Sequence, residues 1–188
     1  GISKKQAKDI EKRENVDESG VLKNVCYARL QNSFNEDMPY LYVGAMEGKF
    51  DKLLSIHMKE GRLPKNSGEI ILPEDLEENG GIECKVGDTL SLPSGTRRNG
   101  KGQMLWQEDL LVADGDEAFV KSGKTAYQVG GFYQSAMLDN GSAPGYTALT
   151  KSSDGMADLG ERIYVALQDA GEVESFLKQV KPVQMQNL

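Results

Sequence analysis

The amino-acid sequence predicts an α+β fold, in which helices cover one face of a first sheet and the middle of the chain forms a small, mostly antiparallel β subdomain. Residues 1–60 alternate between helical and strand-like hydrophobic patterns in the order α–β–β–α. Between residues 69 and 134 the helical period largely disappears, and short apolar runs are separated by glycine-rich turns, which is typical of antiparallel strands. Strand patterns and an amphipathic helix then return after residue 145.

The first helix is predicted over residues 3–13. Ser3 can cap it, and Gln6, three residues on, completes a capping box. Ala7 and Ile10 share one face while the remaining positions are charged, so we expect a peripheral helix with a narrow buried stripe. A turn is expected over residues 16–20.

Two strands and a helix are predicted next. Residues 21–31 carry apolar side chains on both faces of a strand, in two alternating sets: Val21, Val25 and Tyr27 on one face, and Leu22, Cys26 and Leu30 on the other. Residues 39–46 are nearly continuously apolar, which indicates a central strand. Residues 47–56 carry Phe50, Leu53 and Leu54 at helical spacing and are predicted to form a helix.

Turn signals dominate residues 60–92. An extended turn is expected over residues 61–64 because a residue before proline avoids the α region, and a second turn over residues 66–68. A strand over residues 69–72 leads into a short helix opened by Pro73 and ended by Gly80 and Gly81. A turn at residues 86–88 precedes a strand over residues 89–92.

Further short strands complete the prediction. They are expected over residues 103–111, 118–121, 126–133, 146–150 and 162–167. The strand with Trp106 is predicted to lie at the edge of a hairpin with some exposed apolar surface, and the last two strands to return to the first sheet. Asp169 caps a last helix over residues 171–180, whose predicted buried stripe contains Val173, Phe176, Leu177 and Val180.

Composition excludes several classes of function. The 188 residues include 22 Lys and Arg and 29 Asp and Glu, so the net charge is −7. This charge disfavours binding to nucleic acid or, through charge, to an anionic lipid surface. Lys and Arg are scattered, and the one basic cluster, residues 97–101, is predicted to be a solvated hairpin tip. No apolar run is long enough to span a membrane.

The residue types used in catalysis and metal binding form no recognisable site. His57 is the only histidine and is expected to be a packed or surface residue. Cys26 and Cys84 could pair in an oxidising compartment, although two separate thiols that behave as small apolar side chains are the favoured interpretation. The acidic residues 114–117 fail the spacing of a calcium loop, and residues 123–125 lack the upstream glycine of a phosphate-binding loop. We therefore predict no catalytic, cofactor-binding or metal-binding residues.

Four ordered motifs resemble one known family. They are EGRLPKNSGEIILPEDL at residues 60–76, KVGDTLSL at 85–92, YQVGGFY at 127–133 and APGYTALT at 143–150. Together they look like the MacB-like periplasmic core domain, the extracytoplasmic domain of FtsX-like ABC transporter permeases. The glycines and prolines in these motifs are interpreted as backbone-geometry residues rather than catalytic ones.

The resemblance implies a division into two subdomains. A discontinuous α+β porter-like subdomain would comprise residues 1–66 and 145–188, and a β-rich sabre-like subdomain would be inserted over residues 67–144. It also implies membrane-spanning helices before Ile2 and after Leu188, so that both ends of the chain would meet the same membrane surface. By the same resemblance the domain would belong to a cell-membrane protein and would lie on the extracellular or periplasmic side. Of the two, the surface of a Gram-positive cell is favoured.

Two functional hypotheses remain open at this point. The first is a non-enzymatic extracellular domain of an ABC transporter permease. Its partners would be its own transmembrane helices, a cytoplasmic ATP-binding subunit and, where there is one, a peptide, antibiotic or lipoprotein substrate. It would take part in export or in mechanotransmission across the membrane. The second is a free secreted or surface-attached module that binds a ligand or peptide.

Overall fold

The computed structural model describes residues 2–31, 33–111, 117–138 and 142–180. The helices are α1 (Lys4–Glu11), α2 (Phe50–Leu53), α3 (Leu76–Gly80) and α4 (Val173–Val180), the last preceded by a 3-10 turn (Ala170–Glu172). The strands are β1 (Val16–Arg29), β2 (Tyr40–Gly48), β3 (His57–Gly61), β4 (Glu69–Pro73), β5 (Thr89–Asn99), β6 (Met104–Leu105), β7 (Glu117–Gln134), β8 (Gly145–Lys151) and β9 (Glu161–Leu167). The chain is therefore α+β, as the sequence predicted.

All nine of these strands belong to one mixed sheet. The order is β3-β7-β4-β8-β2-β1-β5-β6, with β9 paired to β1. The pairs β2–β8 and β4–β7 are parallel, and the other pairs are antiparallel. Because β5 pairs with both β1 and β7, the strands β7, β4, β8, β2, β1 and β5 close into a ring.

Two apolar clusters lie on opposite faces of this ring. The first receives buried side chains from all six strands of the ring, including Leu41, Ile70 and Val129, so it fills the inside. The second is rich in aromatic residues and contains Tyr27, Tyr42 and Trp106 together with helix α2. The sheet is thus buried on both faces along β2, as predicted for a central strand.

A bulge in β1 changes which side chains share a face. The pairing of β1 with β2 shifts register between Asn24 and Cys26, which leaves Val25 as the extra residue. As a result Leu22 lies in the aromatic cluster with Tyr27, whereas Cys26 lies inside the ring. The predicted grouping of Leu22 with Cys26 is wrong because strict alternation does not survive a bulge.

The start of β1 and the segment around α2 also depart from the prediction. Residues 16–20 are part of β1, not a turn, because they pair with β9. The helix predicted over residues 47–56 is shortened to Phe50–Leu53, since β2 continues to Gly48 and Ser55 adopts a positive φ of 48°. Phe50 and Leu54 are nevertheless fully buried, as their spacing predicted.

The β-rich middle of the chain has fewer and longer strands than predicted. The two strands expected over residues 118–121 and 126–133 are one 18-residue strand, β7, which pairs first with β5 and then with β4 and β3. The strand expected over residues 103–111 is reduced to β6, and Trp106 is buried. Met104 and Leu110 do remain exposed, at 38% and 63% of their surface.

The terminal helices form largely as predicted. Ser3 and Gln6 make both hydrogen bonds of a capping box, and Ala7 and Ile10 are buried. The side chain of Asp169 accepts from the Gly171 N–H before α4. In α4 only Phe176 is fully buried.

The remaining three residues of the predicted α4 stripe, Val173, Leu177 and Val180, are half-buried. None of the described helices is both long and apolar enough to cross a membrane.

Candidate functional site

The four family-like motifs meet at one place in the fold, around Gly130 and Gly131 of β7. Gly61, from the first motif, pairs with Gly131 across β3 and β7. A Cβ atom on Gly61 would lie 2.2 Å from the Gly130 carbonyl oxygen, and Gly61 has a positive φ of 71°. Only glycine, which has no Cβ atom, tolerates both the positive φ and this close contact. The close approach of the two backbones therefore requires glycine at this position of the motif.

The other two motifs join the same region through backbone hydrogen bonds. The Gly87 N–H donates to the Val129 carbonyl, and the Val129 N–H donates to the Asp88 carbonyl, both at 2.8 Å. Ile70 of the first motif pairs with Thr150 of the fourth. Motifs separated by up to 90 positions in the sequence therefore build one structural unit of the sheet, which supports their interpretation as geometry residues.

The basic cluster predicted as a solvated hairpin tip contains a fully buried side chain, Arg97. Its guanidinium donates to both carboxylate oxygens of Glu117, with Nε–Oε1 at 2.8 Å and Nη2–Oε2 at 2.9 Å. It also donates to the backbone carbonyls of Trp106 and Asp109 and lies 5.3 Å from the centre of the Tyr27 ring. The prediction was wrong for Arg97 because strand β5 extends seven residues beyond residue 92 and brings this side chain into the aromatic cluster.

The single histidine and the two cysteines lie in different surroundings. His57 is exposed on β3. Cys26 and Cys84 are free thiols that both pack with the cluster inside the ring. Burial raises the pKa of each thiol to about 11, so both remain protonated and weakly nucleophilic at neutral pH.

The segment over residues 123–125, which has the Gly-Lys-Thr order of a phosphate-binding loop, adopts a different structure. Residues 123–125 lie inside β7, where Thr125 pairs with Leu92, whereas a phosphate-binding loop connects a strand to a helix N-terminus. Of the acidic residues 114–117, the first three lie outside the described residues, and Glu117 is engaged by Arg97. In the described part of the chain, no group of three or more His, Cys, Asp or Glu is placed to hold a metal ion.

A groove of about 700 Å³ lies between α1, the ends of β2 and β8, and the segment after β3. Four lysines line it: Lys4 and Lys8 from α1, Lys23 from β1 and Lys151 from β8. Met46, Leu63 and Pro64 supply its apolar lining, and Ser152 and Ser153 contribute hydroxyl groups. We refer to this feature as the lysine groove.

One lysine of the groove is held in place by its neighbours. Lys23 forms an ion pair with Glu47 and donates to the Ser152 hydroxyl at 2.8 Å, and that hydroxyl is 3.1 Å from Glu47. The hydrogen bond from Lys23 holds the pKa of Glu47 below its usual range. Lys4, Lys8 and Lys151 are exposed and make no ion pair among the described residues, and Lys4 interacts electrostatically with Glu47 and Glu161.

Sequence reasoning did not find the lysine groove. Its cations come from α1, β1 and β8, which are separated by up to 147 positions, and the sequence shows them as scattered charges. The only local signal is the spacing of Lys4 and Lys8, which places them one turn apart on the same helix face. Pairing of β8 beside β2 is what brings Lys151 to this end of the sheet.

Comparison with solved structures finds extracytoplasmic domains of transporters. The extracellular domain of the noncanonical ABC-type transporter YknZ from Gram-positive bacteria matches 95% of this chain and 80% of its own, with a TM-score of 0.54 and 11% identity. The periplasmic region of MacB from Actinobacillus actinomycetemcomitans matches 96% of this chain and 71% of its own, with a TM-score of 0.50 and 14% identity. No protein-family model and no curated protein matches the sequence.

These likenesses extend over nearly the whole chain, so they cover the ring of strands as well as the flanking helices. Both solved neighbours are regions of transporters that lie outside the membrane. At sequence identities of 11% and 14%, the similarity establishes a shared fold only. The fold implied by the resemblance of the four motifs is confirmed: this chain has the fold of the MacB-like extracytoplasmic domain of ABC transporter permeases.

Proposed function

We propose that this chain is a non-catalytic extracellular domain of an ABC transporter permease. It would work with its own transmembrane helices and with a cytoplasmic ATP-binding subunit. The observation that carries the proposal is the fold shared with two transporter domains over 95% and 96% of this chain. The motif region around Gly131 supports it, because residues that the family resemblance singled out are used there for packing rather than for chemistry.

The connections of the sheet support a mechanical role. Force applied at α1 or at β9 reaches β1 directly, because α1 packs on β1 and β9, and β9 pairs with β1 over seven positions. From β1 it passes through β2 and β5 to the rest of the ring. A closed hydrogen-bonded ring deforms little, so the domain would transmit a movement of the membrane helices as a rigid body, in export or in mechanotransmission.

The two-subdomain division belongs to the same proposal. Residues 1–66 and 145–188 would form the porter-like subdomain, and residues 67–144 the sabre-like subdomain. The β5–β7 hairpin is the longest feature of the inserted segment and pairs over eleven positions. Three pairings, β3–β7, β4–β8 and β1–β5, join the two segments, so they would move together.

The direct test is the topology of the full-length gene product in intact cells. Cysteine substituted at exposed Lys101 or Lys124 should react with a membrane-impermeant maleimide added outside the cells, in a background with Cys26 and Cys84 replaced by Ala. The protein should remain in the membrane fraction and co-purify with an ATP-binding subunit. Release of the protein into the medium without a membrane anchor would contradict the proposal and favour the free binding module.

A further inference from the structure

We propose that the lysine groove binds an extended acidic peptide, with alternate carboxylate side chains facing Lys4 and Lys8. This inference rests on the proposed function, since it names the substrate class that such a permease domain would contact. Lys4 and Lys8 lie one turn apart on α1, and side chains at this spacing have Cβ atoms about 5–6 Å apart. In an extended peptide, residues i and i+2 are about 6.6 Å apart and point the same way. The two spacings match.

A third exposed ammonium group extends the same pattern. Lys151 comes from the end of β8, so the cations line the groove from more than one of its walls. Charges distributed in this way favour a ligand with several carboxylates along its length over one with a single anionic group. The fixed Lys23–Glu47–Ser152 group forms part of the lining and needs no ligand for its own neutralisation.

The remaining lining suits the other face of such a peptide. In an extended peptide the residues between the carboxylates point away from the lysines. Met46, Leu63 and Pro64 are the apolar lining that these residues would contact. Asp51 and Asp154 also line the groove and would repel carboxylates placed beside them, so they restrict where along the groove the acidic side chains can sit. The volume of about 700 Å³ is that of a site for a small ligand or a short peptide segment.

A peptide fits the whole protein better than an anionic membrane surface does. The chain carries a net charge of −7, which opposes approach to a large surface of the same sign, whereas a short peptide contacts only the groove. Attraction inside the groove should be sensitive to salt, because Lys4, Lys8 and Lys151 are exposed to solvent.

The test is calorimetric titration of the 188-residue chain with the peptide Ac-LELELE-NH2 at low and moderate salt. Saturable one-to-one binding is expected, with at least tenfold weaker binding for the uncharged Ac-LQLQLQ-NH2 and for Ac-SESESE-NH2, which lacks the apolar side chains. Tighter binding of Ac-LQLQLQ-NH2 than of the acidic peptide would overturn the proposal. So would binding of dihexanoyl phosphatidylglycerol that is tighter than binding of Ac-LELELE-NH2.

Two double variants locate the binding. Lys4→Gln/Lys8→Gln removes two groove cations and should weaken binding at least tenfold. Lys5→Gln/Lys12→Gln removes the same charge from α1 and from the position just after it, outside the groove, and should change affinity less than twofold. Lys and Gln have similar helix propensities, so α1 should persist in both variants. Equal losses of peptide affinity in the two variants would show that the peptide is attracted by overall charge and not by the groove. That result would overturn the proposed site.

These measurements are independent of the proposed membrane function. They use the chain in solution and need neither transmembrane helices nor an ATP-binding subunit. A negative titration together with correct topology in cells would overturn the peptide site alone. A positive titration together with secretion into the medium would retain the site and overturn the permease assignment.

Discussion

The guanidinium of Arg97 and the carboxylate of Glu117 form a two-point ion pair that is almost fully removed from solvent, with side-chain exposures of 0% and 4%. The pair joins β5 to β7 near the end of their hairpin. Arg97 also binds the carbonyls of Trp106 and Asp109, so it fixes the segment after β6 against the aromatic cluster. One buried side chain therefore positions three parts of the inserted segment.

Removal of one partner of this pair should be strongly destabilising. Arg97→Met leaves the Glu117 carboxylate buried without its counter-charge, and breaking a buried pair in this way costs about 3–5 kcal/mol of unfolding free energy. The double variant Arg97→Met/Glu117→Leu should lose less than the sum of the two single changes, because it leaves no isolated charge. Urea unfolding of the four proteins measures the coupling.

The exposed pair Lys178–Glu174 is the matched control for this experiment, since its exposures are 75% and 85%. Lys178→Met should change the unfolding free energy by less than about 1 kcal/mol. Strictly additive losses at Arg97 and Glu117 would mean that the two side chains contribute separately and that their ion pair has no special role.

Alanine substitutions at Gly61 and Gly87 distinguish backbone strain from steric crowding. Both have positive φ, 71° and 96°, but a Cβ at Gly61 would lie 2.2 Å from a carbonyl oxygen, while a Cβ at Gly87 would meet nothing within 4 Å. Gly87→Ala should therefore cost only the backbone strain, about 1–3 kcal/mol. Gly61→Ala should cost that strain plus about 1–3 kcal/mol for crowding between β3 and β7. Equal losses in denaturant melts would contradict the close approach of these strands.

The pH dependence of stability should reveal the contact between Arg62 and Glu69. The Glu69 carboxylate accepts two hydrogen bonds from Arg62, at 2.6 and 2.9 Å, and one from the Lys65 N–H at 2.8 Å. These interactions, the Arg62 hydrogen bonds first, lower the pKa of Glu69 to about 2, whereas an unfolded Glu titrates near 4.3. Because the folded pKa is depressed, the stabilisation is present above about pH 4.3 and is lost as the pH falls toward 2.

Comparison with Glu69→Gln isolates this contribution from other titrating groups. The difference in urea midpoint between the parent chain and the variant should be largest above about pH 5 and should shrink between about pH 4 and pH 2. A difference that stays constant over this range would show that the charged form of Glu69 is not what stabilises the fold.

Phe176 is the residue that attaches the last helix. It is 4% exposed, and the Arg13 guanidinium lies 5.8 Å from the centre of its ring. Phe176→Ala should cost about 3–5 kcal/mol, as other truncations of buried Phe do. Leu177→Ala, at a half-buried position of the same helix, should cost clearly less. A loss below about 1 kcal/mol for Phe176→Ala in urea melts would mean that α4 is only loosely attached to the domain.

Local patterns predicted the fold where neighbouring residues decide the structure. The capping box at Ser3 and Gln6, the continuous apolar run of β2 and the Gly81 helix end in αL conformation all follow from interactions within a few positions. Gly61 and Gly131 of the motifs lie where two backbones approach closely, as expected for backbone-geometry residues.

Predictions failed where distant segments decide the structure. The side-chain alternation along β1 is shifted by a bulge opposite β2, and the hydrophobic pattern of β1 alone contains no sign of it. Arg97 lies over the Tyr27 ring because β5 continues along β7, where Arg97 pairs with Phe119, 22 positions further along the chain. The lysine groove likewise exists only once α1, β2 and β8 are placed together. Its charges were therefore visible in the sequence, whereas their proximity was not.

The proposed insertion between two membrane helices makes a geometric prediction about the chain ends. Both ends must return to one membrane surface, so α1 and the end of α4 should lie close together on one face. Arg13, just after α1, binds the Gln179 side chain of α4 at 3.1 Å. Because eight helical residues span about 12 Å and packed helices lie about 8–10 Å apart, we expect about 15–25 Å between Lys4 and Lys178. The tail over residues 181–188, including Gln186, lies outside the described residues.

Spin labels at Lys4 and Lys178 measure this separation by pulsed electron paramagnetic resonance. A third label at Lys101, in the turn between β5 and β6, tests whether the inserted segment projects away from the chain ends. The distance from Lys4 to Lys101 should then exceed the distance from Lys4 to Lys178. A Lys4–Lys178 separation beyond about 40 Å would place the ends at opposite sides, since that span exceeds the length of about three eight-residue helices. Such a result would rule out insertion between successive membrane helices and would favour the free binding module.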